Sequence, residues 1–239
     1  MIIEGNVSVK AALMGGNRRV EKLYVDEAKH DKDTSWILHR AEERKAEIIR
    51  CSREEIDAKA SGRTHGGLIA EAEKRQYQKL EDTWKQEQTF IVLLEGVEDP
   101  FNLGYIMRTL YSAGCTGLIL RDRNWENAES TILKSSAGAS EYLPIVLSDD
   151  MQQTVKWYRD QKVNCFAAMR RNAISCYEAK YTGPVLIAIG GEMRGLSSGV
   201  LKEIPQNIYI PYANDFHSAL NAAGAAAVLG FEVYRQRNV

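Results

Sequence analysis

Residues 90–94 read Phe90-Ile91-Val92-Leu93-Leu94, an unbroken apolar run. A strand with one wet face alternates apolar and polar residues. A continuous apolar strand belongs where both faces of its sheet are covered, as in parallel α/β sheets. The pattern recurs downstream: Leu118-Ile119-Leu120, Ile145-Val146-Leu147, Val163–Ala168, Val185–Ile189 and Ile208–Ile210 all read as strands. Between them Leu103, Ile106, Met107, Leu110 and Tyr111 recur at helical spacing, and residues 129–137 and 151–161 also read as helices. An alanine-rich helix is expected over His217–Arg235. Strands alternating with helices predict a mostly parallel α/β sheet.

The chain before this run has a different texture, dense in charge and short of apolar segments. Lys22–Val25, Ile48-Ile49 and Leu68–Ala70 read as strands; Thr34–Ala46 and Arg53–Ala60 read as helices, the second capped by Ser52. Residues 61–67 are turn-rich. The organisation expected is a small α/β domain over 1–75, a polar linker over 76–88 and a larger domain over 89–239. No internal repeat or low-complexity segment interrupts it.

A net charge of -1 does not announce a nucleic-acid partner, and residues 1–88 are themselves balanced. Any basic surface is therefore local and assembled by the fold. Cys51, Cys115, Cys165 and Cys176 are far apart and form no metal-type pair. Free thiols, an N-terminus unlike a signal peptide and no apolar stretch of spanning length predict a cytoplasmic protein with no membrane role and no metal.

In a parallel sheet, ligands lie beyond the carboxyl ends of strands. Three such loops are unusual. The first, Glu95–Arg108, offers Asn102 as a helix cap and Arg108 six residues on, where a guanidinium fork can meet a phosphate. It reads equally as a cap and a solvated arginine. The second, Gly190-Gly191-Glu192-Met193-Arg194-Gly195-Leu196-Ser197, lets a ligand approach the backbone closely, or is simply a turn. The third runs from Ile210-Pro211 to Ser218-Ala219-Leu220-Asn221, where a helix opens with Ser218 and Asn221. Dinucleotide and P-loop fingerprints are absent. His217 beside Ser218 leaves a hydrolytic triad open, without the nucleophile elbow that usually accompanies one.

Taken in order, the loops resemble the three motifs of the SpoU (TrmH-like) branch of the SPOUT methyltransferases. Asn102, Gly104 and Arg108 match the first; Gly190, Glu192, Gly195 and Leu196 the second; Ile210, Pro211, Leu220 and Asn221 the third. Lys134–Ala139 with Leu143-Pro144-Ile145, and Phe231–Arg237, are also similar to that family, so the resemblance covers about residues 90–237. Gly5, Val9, Leu13 and the Thr64–Leu68 turn resemble the accessory domain of its ribosomal-RNA members.

The resemblance implies a C-terminal trefoil knot, a homodimer and transfer of a methyl group from S-adenosylmethionine to a ribose 2′-hydroxyl, in ribosomal rather than transfer RNA. Gly190, Gly191, Ile210, Leu220 and Asn221 would hold the donor. Arg108 would act on the reacting nucleotide, with Asn102, Glu192, Asn221 and Ser218 completing the site. Three departures stand out. Ala219 occupies the place where the family usually has serine, with Ser218 one position earlier; Tyr212 replaces a usual methionine; and the third loop is one residue longer than common. The rival readings are a non-catalytic RNA-binding protein of the same fold, a transfer-RNA 2′-O-methyltransferase, a base methyltransferase and a generic nucleotide-binding enzyme.

Overall fold

The computed structural model describes residues 1–238, so Val239 of the expected C-terminal domain lies outside them. The chain forms two units, one of Met1–Gln76 with Trp125–Tyr142 and one of Tyr77–Asn124 with the chain from Leu143 onward.

The first unit begins with β1 (Ile2–Glu4), α1 (Asn6–Gly15), β2 (Val20–Asp26), α2 (Lys32–Glu43), β3 (Glu47–Cys51), α3 (Arg53–Lys59) and β4 (Leu68–Ala72). Its sheet runs β1-β4-β2-β3, with β2 and β3 parallel and the other pairs antiparallel. Val9, Ala12 and Leu13 of α1 and Ile37 and Ala41 of α2 join Leu23, Val25, Leu68 and Ala70 in one apolar core. Local chemistry sets the helix starts: Asp31 accepts the Thr34 amide, and Ser52 with Glu55 makes a reciprocal capping box. The helix expected to reach Ala46 stops at Glu43, because Lys45 turns left-handed (φ 59°) and the Ala46 amide folds back onto the Ala41 carbonyl.

The second unit opens with α4 (Leu80–Thr83), β5 (Phe90–Glu95), α5 (Pro100–Ser112) and β6 (Gly117–Arg121). The chain then contributes α6 (Glu129–Ser135) to the first unit. It continues in the second as β7 (Ile145–Ser148), α7 (Met151–Asp160), β8 (Asn164–Ala168), β9 (Ala173–Ser175), β10 (Val185–Gly190), α8 (Ser198–Glu203), β11 (Gln206–Tyr209) and α9 (Ala222–Asn238). The sheet order is β7-β6-β5-β10-β8-β11-β9, and every neighbouring pair is parallel.

All six residues of β5 are buried, as its apolar run requires. Ile91 and Leu93 pack with Met151, Val155 and Tyr158 of α7 and with Val200 of α8. Side chains alternate along a strand, so Phe90, Val92 and Leu94 point to the opposite face. Arg237 of α9 lies over the Phe90 ring there and donates to the carbonyls of Thr89 (2.9 Å) and Tyr181 (3.1 Å). Full burial of one such aliphatic side chain contributes about 1.5–3 kcal/mol.

The Trp125–Tyr142 segment is tied into the first unit by buried charge. The Glu141 carboxylate accepts from Arg18 through Nε (3.0 Å) and Nη2 (3.1 Å) and from Arg75 Nη1 (3.2 Å), and all three side chains are almost wholly buried. Arg18 also meets Glu129 at 3.1 Å. Burial by itself would push the Arg18 guanidinium down, but Glu141 and Glu129 outweigh it and raise its pKa. Backbone packing is equally close: a Cβ on Gly15 would lie 2.0 Å from the Glu141 carbonyl oxygen.

No helix among the described residues is long and apolar enough to cross a membrane, and no group of three or more His, Cys, Asp or Glu is placed to hold a metal. All four cysteines are buried, and burial pushes the Cys115 and Cys165 thiols up to about 12.

Candidate functional site

The first and second loops leave adjacent strands in register, Glu95 of β5 opposite Gly190 of β10. The Gly191 amide donates to the Glu95 carbonyl at 2.6 Å. Main chain then packs directly on main chain. A Cβ on Gly191 would lie 2.1 Å from the Gly96 carbonyl oxygen, and one on Gly190 would lie 2.5 Å from the Gly195 carbonyl carbon. Gly96, at φ 79°, and Gly195, at φ 62°, turn left-handed to allow this. The result is a floor of backbone with no room for side chains. Gly191→Ala is therefore expected to destabilise the protein by about 1–3 kcal/mol through overpacking. An unchanged midpoint in urea unfolding would contradict that.

Glu95 was not among the expected site residues, yet it organises this floor. Its buried carboxylate accepts the Ser197 amide (2.7 Å) and meets Arg121 (3.4 Å). Ser197 in turn caps α8 through the Val200 amide. The signal available in the sequence was an acid closing an otherwise wholly apolar strand.

The first loop leads into α5. Its cap is Asp99, which accepts the Asn102 amide at 2.7 Å, and Pro100 begins the helix. Asn102 thus sits half-buried in the first turn and does not cap. Pro100 sets the start one turn earlier than the expected Asn102 cap, since its fixed φ and missing N–H suit the first helical position. Arg108 is exposed on α5, and its guanidinium makes no hydrogen bond or ion pair among the described residues. Glu192 is likewise exposed and unpaired.

The third loop leaves β11, separated from β10 by β8. The helix expected from His217 starts only at Ala222, so Ser218 lies in an exposed loop and does not open a helix. Asn221 does: its Oδ1 accepts the Gly224 amide (2.7 Å) and its carbonyl the Ala225 amide (3.0 Å). The Leu220 amide donates to the Tyr212 hydroxyl at 2.8 Å. Ile210 is half-buried at the loop's start. Arg170, which follows β8 and was also not anticipated, donates to three carbonyls of this loop.

The structure therefore joins Gly190 and Gly191 to the first loop. It gives Ser218, Leu220 and Asn221 no hydrogen bond to the other two loops among the described residues. The hydrolytic alternative finds no geometry. His217 and Asp215 are 3.9 Å apart with side chains 92% exposed, whereas a catalytic dyad is buried and oriented.

Arg108 on α5, Arg171 after β8 and Arg194 in the second loop are exposed and have no carboxylate partner among the described residues.

Comparison with known proteins agrees with this architecture. Residues 89–231 match the SpoU rRNA methylase family, and residues 2–78 match the RNA 2′-O ribose methyltransferase substrate-binding family. A 23S rRNA (guanosine-2′-O-)-methyltransferase RlmB from Photorhabdus laumondii is 30% identical over 242 residues, which is 99% of this chain and 98% of that protein. The protein of the same name from Escherichia coli K12 is 27% identical over 241 residues, 99% of each chain. Two solved structures share the fold. The AdoMet-bound rRNA methyltransferase of Sinorhizobium meliloti gives a TM-score of 0.82 at 23% identity over 98% of this chain and 86% of that one. AviRb of Streptomyces viridochromogenes in complex with AdoMet gives 0.83 at 22% identity over 99% of this chain and 89% of that one. A doubly covered parallel sheet, three loops in the order of the family's motifs and a match spanning most of the sheet domain lead to one assignment: the chain belongs to the SpoU rRNA methylase family.

Proposed function

We propose that this protein is an S-adenosylmethionine-dependent methyltransferase that methylates a ribose 2′-hydroxyl of ribosomal RNA, in the cytoplasm and without a metal. The observation that carries the reading is the backbone floor of Gly96, Gly190 and Gly191 at the sheet's carboxyl edge, next to a helix bearing the unpartnered Arg108. The residues fit such a donor. Loops packed this closely leave main-chain N–H and C=O groups rather than charged side chains at the strand ends, which suits an adenosine held by main-chain groups and apolar walls. Gly190, Gly191, Ile210, Leu220 and Asn221 would hold it. Since the Leu220 amide is taken by Tyr212, Leu220 would offer its carbonyl.

The bound donor supplies a methyl group made electrophilic by its sulfonium charge. The chain's own task is to place the ribose oxygen in line with it, and orientation of this kind is worth up to roughly 7–11 kcal/mol. Arg108 grips the phosphate of the target nucleotide with its fork and stabilises the charge that develops on the 2′-oxygen. A guanidinium is a poor base, so Arg108 works by position and charge. Asn102 and the exposed Glu192 would orient the first and second loops around bound donor and RNA, Asn221 orders the third, and Ser218 stands nearest the place of the family's serine.

Residues 1–75 serve as the RNA-binding domain, residues 76–88 as its connection and residues 89–239 as the catalytic domain carrying the trefoil knot. The protein works as a homodimer. Phe101 and Tyr105 on α5 and Phe231 and Tyr234 on α9 are all about half exposed, on two helices that pack together, and support a face for the second copy. A monomer in sedimentation at micromolar concentration would overturn the dimer.

The test of function is transfer of labelled methyl from S-adenosylmethionine to purified ribosomal and transfer RNA, followed by digestion to nucleosides. A 2′-O-methylnucleoside from ribosomal RNA is expected. A methylated base, label confined to transfer RNA, or donor binding without transfer would each overturn the reading in favour of a named rival.

A further inference from the structure

We propose that Arg170 is a positioning residue for the methyl donor, fixing the third loop in its binding shape before the donor arrives. The proposal rests on the reading that this loop holds S-adenosylmethionine.

Arg170 is mounted on rigid backbone. The preceding Met169 amide donates to the Ile208 carbonyl at 3.0 Å, and the Asn207 side chain donates to the Arg171 carbonyl at 2.8 Å. Both bonds tie the turn after β8 to β11, the strand from which the third loop departs. From there the guanidinium reaches across the loop. Its Nη1 lies 3.3 Å from the carbonyl oxygens of both Phe216 and His217. Its Nη2 lies 3.4 Å from the Phe216 oxygen and 3.3 Å from that of Ser218. Its Cζ sits 4.4 Å from the centroid of the Tyr212 ring, in cation–π range. Tyr212 passes the constraint on, since its hydroxyl accepts the Leu220 amide at 2.8 Å. One planar cation therefore links residues 212 to 220.

Among the described residues this stretch has little other support: the Tyr212 and Phe216 rings lie 6.3 Å apart, and Asn221 caps α9. Residues 213–221 are exposed, and Ala219 brings no hydroxyl with which the loop could bond to itself. A segment without a core pays conformational entropy for every residue it orders. If ordering occurs on binding, that cost is taken from affinity; a loop ordered in advance spares it. The rigid five-donor fork suits three neighbouring carbonyls, and lysine, a point charge on a flexible stem, does not replace it. The effect should fall on donor affinity and on KM for the donor, leaving the chemical step at saturation alone.

The experiment combines hydrogen exchange on the free protein with titration calorimetry using S-adenosylmethionine, on wild type, Arg170→Ala, Arg170→Lys and Tyr212→Phe. In Arg170→Ala, amides of residues 213–221 are expected to exchange faster without donor. Its Kd for S-adenosylmethionine is expected to rise about ten-fold, the loss of a few charge-assisted hydrogen bonds at an exposed site. Its kcat at saturating donor should hold. Arg170→Lys should recover part of the affinity, and Tyr212→Phe should accelerate exchange at Leu220 while keeping the stack. Wild-type exchange and wild-type Kd in Arg170→Ala would overturn the proposal, as would a fall in kcat at unchanged Kd. A wild-type protein that binds no S-adenosylmethionine overturns the reading of the loop itself, which is a distinguishable result.

Discussion

Arg108→Ala is expected to lower kcat for methyl transfer on the order of 10²–10³-fold, the cost of removing one preorganised donor from a developing negative charge. Its affinity for S-adenosylmethionine should stay at the wild-type value. The effect can be this clean because the Arg108 side chain supports nothing else: it is exposed on α5, and its guanidinium makes no hydrogen bond or ion pair among the described residues. Thermal melting should therefore not move. Arg108→Lys sharpens the test by keeping the charge and removing the fork. A loss of rate that is independent of pH, with RNA binding retained, supports positioning. Wild-type rates in both variants would remove Arg108 from the mechanism.

Glu141→Gln is expected to destabilise the first unit by about 3–5 kcal/mol, because it leaves two buried guanidiniums short of a counter-charge. Glu141 is the shared acceptor of Arg18 and Arg75, and its side chain is 1% exposed. For a chain of this length the loss corresponds to a fall in melting temperature of roughly 10 °C. Glutamine preserves shape, so the variant reports charge. A companion replaces Arg18, Arg75 and Glu141 together by methionine or leucine, and should recover much of the lost stability, since the penalty lies in stranded charge. If Glu141→Gln melts with wild type, the triad contributes nothing and the segment is held by packing alone.

The parallel sheet was legible because its cause is local. A run such as Phe90–Leu94 has one stable environment, and the structure supplies it. The cap at Ser52 was equally readable, its bond spanning three residues; the reciprocal bond from Glu55 came with the structure. Where the reading slipped, a side chain distant in sequence outbid local preference. Alanine-rich composition extends helical propensity back toward His217. The carbonyls of residues 216–218, which a helix would offer to amides four residues on, are instead taken by Arg170, 46–48 residues away. At α5 the expected cap Asn102 yields to Asp99, because Pro100 takes the first helical position. Within the site, Gly190 and Gly191 stood out as paired glycines. Glu95 and Arg170 did not, because what distinguishes them is whose backbone they hold.

The Glu141 cluster has a consequence for how the chain is made. The counter-charge for Arg18 is supplied 123 residues later, after two strands of the other unit have been synthesised. During translation the amino-terminal sheet can form early, but Arg18 meets Glu129, and Arg18 and Arg75 meet Glu141, only once the chain has passed residue 141. Truncation before residue 125 should therefore yield a loosened, protease-sensitive product. Completion of the first unit is thus a late event, awaiting sequence that arrives after β5 and β6 of the second.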